Sequence, residues 1–251
     1  MEILDFGGKN APIIILIHGF QCPYQVWDKY INYYKTRYHI IVPILPGHSQ
    51  KQKEEYISVE KAATEIEKYV ISNFGERVHC VFGMSMGGVL AAQLLKNHTL
   101  KIEKVVFDGS PLVPVNGLVR KYMTSFYLKV THKTQKRDCK TLKQARKMIV
   151  PENCFEPFLL VMDNMSDETI IRSIEDVTRF AIPADMVISD TKIYYFHGSA
   201  INEMIAKKTA KYLKKHFPNV VIKCFEGMGH CEVSLFHSEK MIEELKNVYG
   251  W

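Results

Sequence analysis

The sequence between residues 77 and 88 reads RVHCVFGMSMGG, a mostly apolar run that leads directly into a serine framed by glycines. Arg77–Phe82 has the pattern of a buried strand, and the helical pattern of Met86–Lys96 begins immediately after Ser85. A serine between such elements sits on a sharp, strained turn, and glycines two positions before and after it avoid steric clashes there. The segment therefore predicts a nucleophilic Ser85 above the edge of a sheet, at a helix N-terminus whose dipole favours developing negative charge.

Short β-branched apolar runs and longer helical patterns alternate along most of the chain. Pro12–Ile17 is a continuous apolar run, and Ser58–Asn73 places its apolar residues on one helical face. Such alternation indicates βαβ units, and therefore an α/β fold with a mostly parallel central sheet flanked by helices. The predicted strands are 12–17, 39–42, 77–82, 102–107, 192–196 and 220–225, and the predicted helices of the core are 58–73, 86–96, 203–216 and 233–248.

Only helical patterns occur between residues 111 and 189. A helical excursion from a parallel sheet often forms a lid. We therefore expect one domain, with residues 1–110 and 190–251 as its core and residues 111–189 as an all-helical cap insertion. The predicted cap helices are 115–130, 141–150, 153–163 and 167–180. The apolar residues that could line an acyl pocket, or pack the cap onto the core, are Phe126, Tyr127, Phe155, Phe158, Leu159, Met162 and Phe180.

A basic segment lies within the predicted cap. Residues 118–148 contain ten lysines and arginines and a single acid, Asp138, so their net charge of +9 exceeds the +6 of the whole chain. A solvated helix face is the favoured interpretation. The alternative is a weak contact between the cap and an anionic membrane surface or an acidic partner such as a carrier protein. No motif for nucleic-acid binding accompanies the charge, so a nucleic-acid partner is not predicted.

Bulk composition fits a soluble globular protein. The chain has 251 residues, of which 47% are hydrophobic and 24% charged. The N-terminus lacks the pattern of a secretory signal, and no apolar run approaches the roughly 18 residues of a membrane span. Six scattered cysteines lack metal-ligand spacing and are typical of free thiols in a reducing compartment. We therefore expect a cytoplasmic protein with no metal site, and the sequence leaves its oligomeric state open.

An oxyanion hole requires two backbone N–H groups aimed at one point. The tripeptide HGF at residues 18–20 follows the first predicted strand, which is where one of these donors is found in sites of this type. The predicted donors are therefore the amides of Phe20 and of Met86, the residue after the serine. His18 is interpreted as a structural histidine that fixes this loop.

The predicted general base comes late in the chain. The sequence GMGH at residues 227–230 follows the last predicted strand, in a loop from which a side chain can reach the serine. The chain has ten histidines, so position rather than residue type supports His230 as the base. Cys22 and Cys231 adjoin these candidates and are interpreted as buried packing residues.

The motifs HGF (18–20), PGHS (46–49), GMSMGG (83–88) and GMGH (227–230) occur in an order that resembles the α/β-hydrolase superfamily. The resemblance runs from about residue 12 to the C-terminus, apart from the helical insertion, and is strongest to small bacterial esterase-like members with a helical cap. It implies an α/β-hydrolase fold, the chain order nucleophile, acid, histidine, and no cofactor. It also implies that a small acyl substrate, a carboxylic ester or thioester, is cleaved through an acyl-serine intermediate.

The resemblance does not extend to the usual acid position. Family members place an Asp or Glu as G-x-x-D after the strand at 192–196, and that position is Ile201 here. Glu203, which precedes His230 by 27 residues, is the predicted acid. Asn202 and Asp108 remain alternatives, although an amide could orient the imidazole without stabilising its positive charge.

Three other functions are also compatible with this sequence. The same Ser–His–acid arrangement supports carbon–carbon bond hydrolysis or peptide cleavage in some proteins. A ligand-binding sensor with little turnover could retain the fold, and the irregular acid loop keeps this possibility open.

Overall fold

The computed structural model of the protein describes residues 1–188 and 190–250. Ser189 and Trp251, where the predicted boundaries of the insertion and of the core fall, lie outside the described residues. The strands are β1 (Glu2–Phe6), β2 (Ile13–Ile17), β3 (His39–Ile44), β4 (Arg77–Met84), β5 (Lys101–Asp108), β6 (Lys192–Gly198) and β7 (Val221–Phe225). They form one sheet in the order β1-β3-β2-β4-β5-β6-β7.

Six of these strands pair in parallel, which confirms the predicted mostly parallel sheet. The seventh, β1, pairs antiparallel with β3 at the edge, with Glu2 opposite Ile44 and Phe6 opposite Ile40. Strand β1 is not among the strands predicted from the sequence. Its five residues, EILDF, mix apolar with charged side chains and none of them is fully buried, so they lack the longer apolar run that marks a strand such as β2.

Ten α-helices are seen in the described part of the chain. Those of the core are α1 (Asp28–Tyr34), α2 (Val59–Phe74), α3 (Met86–Asn97), α8 (Met204–His216), α9 (Glu232–Phe236) and α10 (Ser238–Tyr249), and those between β5 and β6 are α4 (Gly117–Gln135), α5 (Cys139–Met148), α6 (Phe155–Asn164) and α7 (Asp167–Arg179). None of them is both long enough and apolar enough to cross a bilayer.

The single helix predicted over 233–248 is wrong, because the chain forms two helices there. They meet at His237, whose backbone angles of φ −124° and ψ 46° are not helical. In a continuous helix the carbonyl of Ser234 would accept from residue 238. Instead it accepts from the Tyr30 hydroxyl at 2.8 Å. This tertiary contact has no local sequence signal.

Both faces of the sheet are buried. Along β2, Ile13, Ile15 and Ile17 belong to one core cluster, whereas Ile14 and Leu16 belong to the other. Helices α2, α3 and α8 contribute to the first cluster, and α1 and α10 contribute to the second. The carboxyl ends of the parallel strands remain uncovered by these helices, which is where sites form in open α/β sheets.

The helices α4–α7 occupy residues 117–179 and pack against the core. Phe158 of α6 is fully buried in the cluster that also holds Ile14 and Leu16. On α7, Asp176 Oδ2 accepts from the Tyr56 hydroxyl and from the Val59 amide, both at 2.8 Å. The insertion is therefore attached to the core by apolar packing and by specific hydrogen bonds.

Candidate active site

Ser85 lies at the sharp turn between β4 and α3. Its backbone angles of φ 52° and ψ −114° are unusual for a residue with a side chain and represent local strain. Its amide donates to the carbonyl of Asp108 on the neighbouring strand at 2.8 Å, which fixes the turn against the sheet. The strand–turn–helix context predicted around Ser85 is therefore present.

The spacing of the glycines around Ser85 follows from close backbone contacts. A Cβ on Gly83 would overlap the carbonyl oxygen of Gly87. A Cβ on Gly87 would overlap the carbonyl oxygen of Ile17 at the end of β2. Any larger residue at either position would therefore push α3 away from the sheet and displace Ser85.

Three side chains are joined by hydrogen bonds at this turn. His230 Nε2 lies 3.0 Å from Ser85 Oγ, and His230 Nδ1 lies 2.6 Å from Glu203 Oε1. Because an ionised carboxylate can only accept, Nδ1 carries the proton and Nε2 is left to accept from the serine hydroxyl. The other oxygen of Glu203 accepts from the Gly198 amide at 2.9 Å, and Glu203 is fully buried.

The surroundings of His230 shift its pKa in opposite directions. Burial favours the neutral ring, but the hydrogen bond and negative charge of Glu203, with the charge of Asp108, outweigh it and raise the pKa of His230 above its ordinary value of 6.5. The side chain is nonetheless 39% exposed, because it faces an open cavity. Glu203 therefore stabilises the positive charge that the ring acquires when it takes a proton.

The position of the carboxylate depends on a short 3-10 turn, Ile201–Glu203. The turn follows β6 and leaves Ile201, at the family's usual acid position, 85% exposed. Two residues later the chain has turned inward and Glu203 is buried against His230. Asn202 is exposed beside the cavity, and no hydrogen bond joins it to His230 in the described structure.

Asp108 is buried at the end of β5 but does not hydrogen-bond to His230. Its Oδ2 accepts from the Ser234 hydroxyl at 2.5 Å. Burial raises the pKa of Asp108 to about 6, with a further contribution from Glu203, against the opposing effects of Ser234 and His230. The structure thus brings Glu203, and not Asp108 or Asn202, into contact with His230.

The two predicted oxyanion donors lie at the same cavity as Ser85. Met86 is the first residue of α3, so its amide has no acceptor within the helix. Among the described residues, no group accepts from the amide of Phe20, whereas the next two amides are occupied. Gln21 N donates to His48 Nε2 at 3.0 Å, and Cys22 N donates to the carbonyl of Gly19 at 3.2 Å.

Two buried histidines hold the loop that carries Phe20. His18 Nε2 accepts from the amide of Leu45 at 3.1 Å, and its Nδ1 lies 2.9 Å from the carbonyl of Gly19. Burial lowers the pKa of His18 to about 4 and that of His48 to about 3, so both are neutral acceptors near pH 7. For His18 this agrees with its interpretation from the sequence as a structural histidine that fixes the loop. The sequence indicated no such role for His48, because the contact with Gln21 spans 27 residues.

A cavity of about 750 Å³ opens above these groups. Ser85, His230 and Phe20 lie on its wall, and helices of the insertion contribute much of the rest. The lining residues from α4, α5 and α7 are Met123, Phe126, Tyr127, Lys129, Val130, Lys133, Thr141, Gln144, Met148, Ile174, Val177 and Thr178. Of the apolar insertion residues singled out in the sequence, Phe126 and Tyr127 line the cavity, whereas Phe155, Phe158, Leu159, Met162 and Phe180 belong to the two core clusters.

The two cysteines at the site are buried. Burial, with a smaller effect of Cys154, raises the pKa of the Cys22 thiol to about 12. Burial, with the nearby carboxylates Asp108 and Glu203, raises the pKa of Cys231 well above its ordinary value. Since the thiolate is the reactive form, both behave as packing residues.

Comparisons with known proteins agree with this architecture. The sequence profile of the α/β hydrolase fold family matches residues 12–147, just over half of the chain. A pimeloyl-[acyl-carrier protein] methyl ester esterase of Legionella pneumophila is 23% identical over 235 residues, which cover 90% of each chain. The magnesium-chelatase 30 kDa subunit of Rhodobacter capsulatus is 30% identical over 94 residues, but these span only 33% of that protein and 37% of this one.

Solved structures show the same fold over the whole chain. An esterase from Exiguobacterium antarcticum superimposes with a TM-score of 0.76 at 18% sequence identity, covering 99% of this chain and 95% of that one. The sheet order, the serine turn between β4 and α3, the profile match and this superposition all agree. The chain belongs to the α/β-hydrolase fold family.

Proposed function

We propose that the protein is a serine esterase that hydrolyses carboxylic esters or thioesters of small acyl substrates through an acyl-serine intermediate. The observation that carries this proposal is the chain of hydrogen bonds from Ser85 through His230 to Glu203 at the wall of a large cavity. A nucleophile, a base and a group that orients the base are the parts this chemistry needs.

In the first half-reaction, Ser85 Oγ attacks the carbonyl carbon of the ester while its proton passes to His230 Nε2. The negative charge that develops on the carbonyl oxygen is stabilised by the amides of Phe20 and Met86. The tetrahedral intermediate then collapses, and the bond to the alcohol or thiol breaks. The leaving group takes the proton from His230, and the acyl group remains on Ser85.

In the second half-reaction, His230 removes a proton from water, and the resulting oxygen nucleophile attacks the acyl carbon. Collapse of this second intermediate breaks the bond to Ser85 Oγ, which regains its proton from His230. The products are the free acid and the original enzyme. Glu203 keeps the ring in the correct tautomer and stabilises the imidazolium in both halves.

The cavity supports an acyl substrate. Most of its lining side chains are apolar, and the insertion helices α4, α5 and α7 form a cover over Ser85. This arrangement supports the role of residues 111–189 as a cap, with Phe126 and Tyr127 among the residues that contact the acyl chain. The esterase named among the relatives is consistent with this reaction type.

A sensor without turnover is less well supported than an enzyme. That alternative depended on the absence of a suitable acid in the 198–203 loop. The contact of Glu203 Oε1 with His230 Nδ1 at 2.6 Å provides an acid where the chemistry needs one.

Turnover of p-nitrophenyl esters of graded acyl length tests the proposal. We expect multiple turnovers by the native protein and a loss of about 10³-fold or more in kcat for Ser85→Ala. Ser125→Ala, an exposed serine on α4, serves as the matched control and should retain the native rate. Release of p-nitrophenol that stops at one equivalent per protein would instead favour the sensor.

A further inference from the structure

The charges around the cavity are unbalanced. Lysine, arginine, aspartate and glutamate are represented among the described residues of the cavity wall by Lys129 and Lys133 alone. No aspartate or glutamate lines it in the described part of the chain. Both lysines are also exposed to solvent, so they lie where the cavity opens.

Neither lysine is held in a salt bridge in the described part of the chain. In the described structure, no ion pair involves Lys129 or Lys133, whereas two arginines of the same basic segment are paired. Arg137 binds Asp163, and Arg146 binds Glu152. Asp138 interacts electrostatically with Lys133 and offsets part of its charge, but the two lysines together still leave the cavity opening positively charged.

The two lysines are held on the same side of the cavity. They are four residues apart on α4, which places them one above the other on one helical face. Gln144 of α5 lines the cavity as well and offers a further hydrogen-bond donor, whereas the hydroxyl of Thr141, also on its wall, donates to Asp138 Oδ1 at 2.7 Å. The cavity wall as a whole is largely apolar, with Phe126, Tyr127 and Val130 contributed by α4 itself.

We propose that Lys129 and Lys133 form a subsite for an anionic group, a carboxylate or phosphate, carried by the substrate at some distance from the ester carbonyl. The inference rests on the proposed esterase function and specifies its substrate class. The apolar wall accommodates the connecting chain. The ammonium groups bind the charged end, and the absence of a lining carboxylate avoids repulsion of that end.

Binding at this subsite should appear mainly in KM. The anionic group is remote from the reacting atoms, so its contact with the lysines is similar in the ground state and the transition state. Each exposed ion pair contributes modestly, and two together should change KM by about three- to tenfold. The rate of the chemical step should change less than KM.

The test compares pairs of methyl esters that differ only at the far end of the acyl chain. Methyl hexanoate and monomethyl adipate form one pair, and methyl octanoate and monomethyl suberate form a longer pair. Methyl 6-(phosphonooxy)hexanoate replaces the carboxylate by a phosphate and so distinguishes the two anions. Released acid is followed by pH-stat, and kcat and KM are determined separately.

The variant Lys129→Met/Lys133→Met tests the subsite directly. We expect the native enzyme to show a lower KM for the anionic member of a pair, and the variant to lose that preference. Lys121→Met/Lys136→Met is the matched control, because it removes the same charge from exposed positions of the same segment that do not line the cavity. It should keep the preference.

Two results would overturn the subsite. One is a native enzyme that hydrolyses the neutral esters but does not prefer the anionic ones at any chain length. The other is an equal loss of preference in the two double variants, which would indicate the general field of the basic segment. If none of the esters, charged or neutral, is hydrolysed, the proposed esterase function fails instead.

Discussion

At the scale of single residues, Glu203 shows how a short turn moves a functional group along the chain. The 3-10 turn Ile201–Glu203 shifts the carboxylate two residues past the position that relatives use, yet its Oε1 lies 2.6 Å from His230 Nδ1. Its spacing to His230 was enough to identify Glu203 as a candidate acid in the sequence. The sequence did not decide between Glu203, Asn202 and Asp108. That decision depends on which of these side chains the folded chain directs toward His230.

Replacing Glu203 tests its assignment as the triad acid. Glu203→Gln keeps the shape of the side chain but removes its charge, so we expect kcat to fall by about 10³- to 10⁴-fold in p-nitrophenyl ester assays. Asp108→Asn is the matched control, since its carboxylate contacts Ser234 and not His230. A near-native rate for Glu203→Gln together with a large loss for Asp108→Asn would assign the acid to Asp108.

The pH dependence of the rate tests the coupling between the same two residues. His230 must be neutral to accept the Ser85 proton, so kcat/KM should fall as the pH decreases through its pKa. Because Glu203 raises that pKa, the midpoint should lie above the ordinary value of 6.5. Glu203→Gln removes the raising effect while burial still lowers the pKa, so the midpoint should move to lower pH.

The control for this profile is recovery of activity. Protein held at each acidic pH and returned to pH 8 should regain its rate, which separates titration from unfolding. A midpoint that stays in place or moves upward in Glu203→Gln would contradict the proposed interaction.

At the scale of secondary structure, the central strands could be predicted because each contains a short run of buried apolar residues. Residues 13–17 and 105–107 are examples. The elements that depend on distant contacts could not be predicted. Strand β1 acquires its hydrogen bonds only from β3, and the break between α9 and α10 coincides with the contact of Tyr30 with Ser234.

The attachment of α7 to the core provides a test at this scale. Asp176→Ala would leave the Tyr56 hydroxyl and the Val59 amide without their acceptor, so we expect the free energy of unfolding to fall by about 3 kcal/mol in urea denaturation. The control is Glu175→Ala on the same helix, whose partially exposed carboxylate forms an ion pair with Arg179. It should cost less than about 1 kcal/mol. Equal losses in the two variants would contradict the anchoring role of Asp176.

At the scale of the whole molecule, the fold brings together residues from distant parts of the sequence. Ser85 and His230 are 145 residues apart, and the loop with Phe20 precedes both. All three follow parallel strands and therefore meet at one edge of the sheet. This meeting point could be predicted from the sequence, because each of the three motifs directly follows a predicted strand. The sequence did not predict that two lysines of the basic segment would line the cavity, because that depends on how α4 packs over the core.

A contact between the basic segment 118–148 and an anionic surface, the alternative to a solvated helix face, predicts salt-sensitive binding to anionic vesicles. In co-sedimentation, this alternative predicts binding to phosphatidylglycerol vesicles at low salt and loss of it at about 0.5 M salt, where surface charges are screened. Lys140→Gln/Lys143→Gln should weaken binding more than Lys211→Gln/Lys214→Gln, which removes the same charge from α8. Absence of binding at low salt would favour the solvated helix face.

The most direct test of the account is the reaction of the folded protein with a fluorophosphonate, followed by mass measurement of its peptides. The reagent reacts with a serine whose hydroxyl is activated by a neighbouring base and whose oxyanion is stabilised. We expect one adduct per chain, on the peptide that contains Ser85, and none in Ser85→Ala. Folded native protein that acquires no adduct on Ser85, or an adduct that persists in Ser85→Ala, would contradict the assignment of Ser85 as the nucleophile.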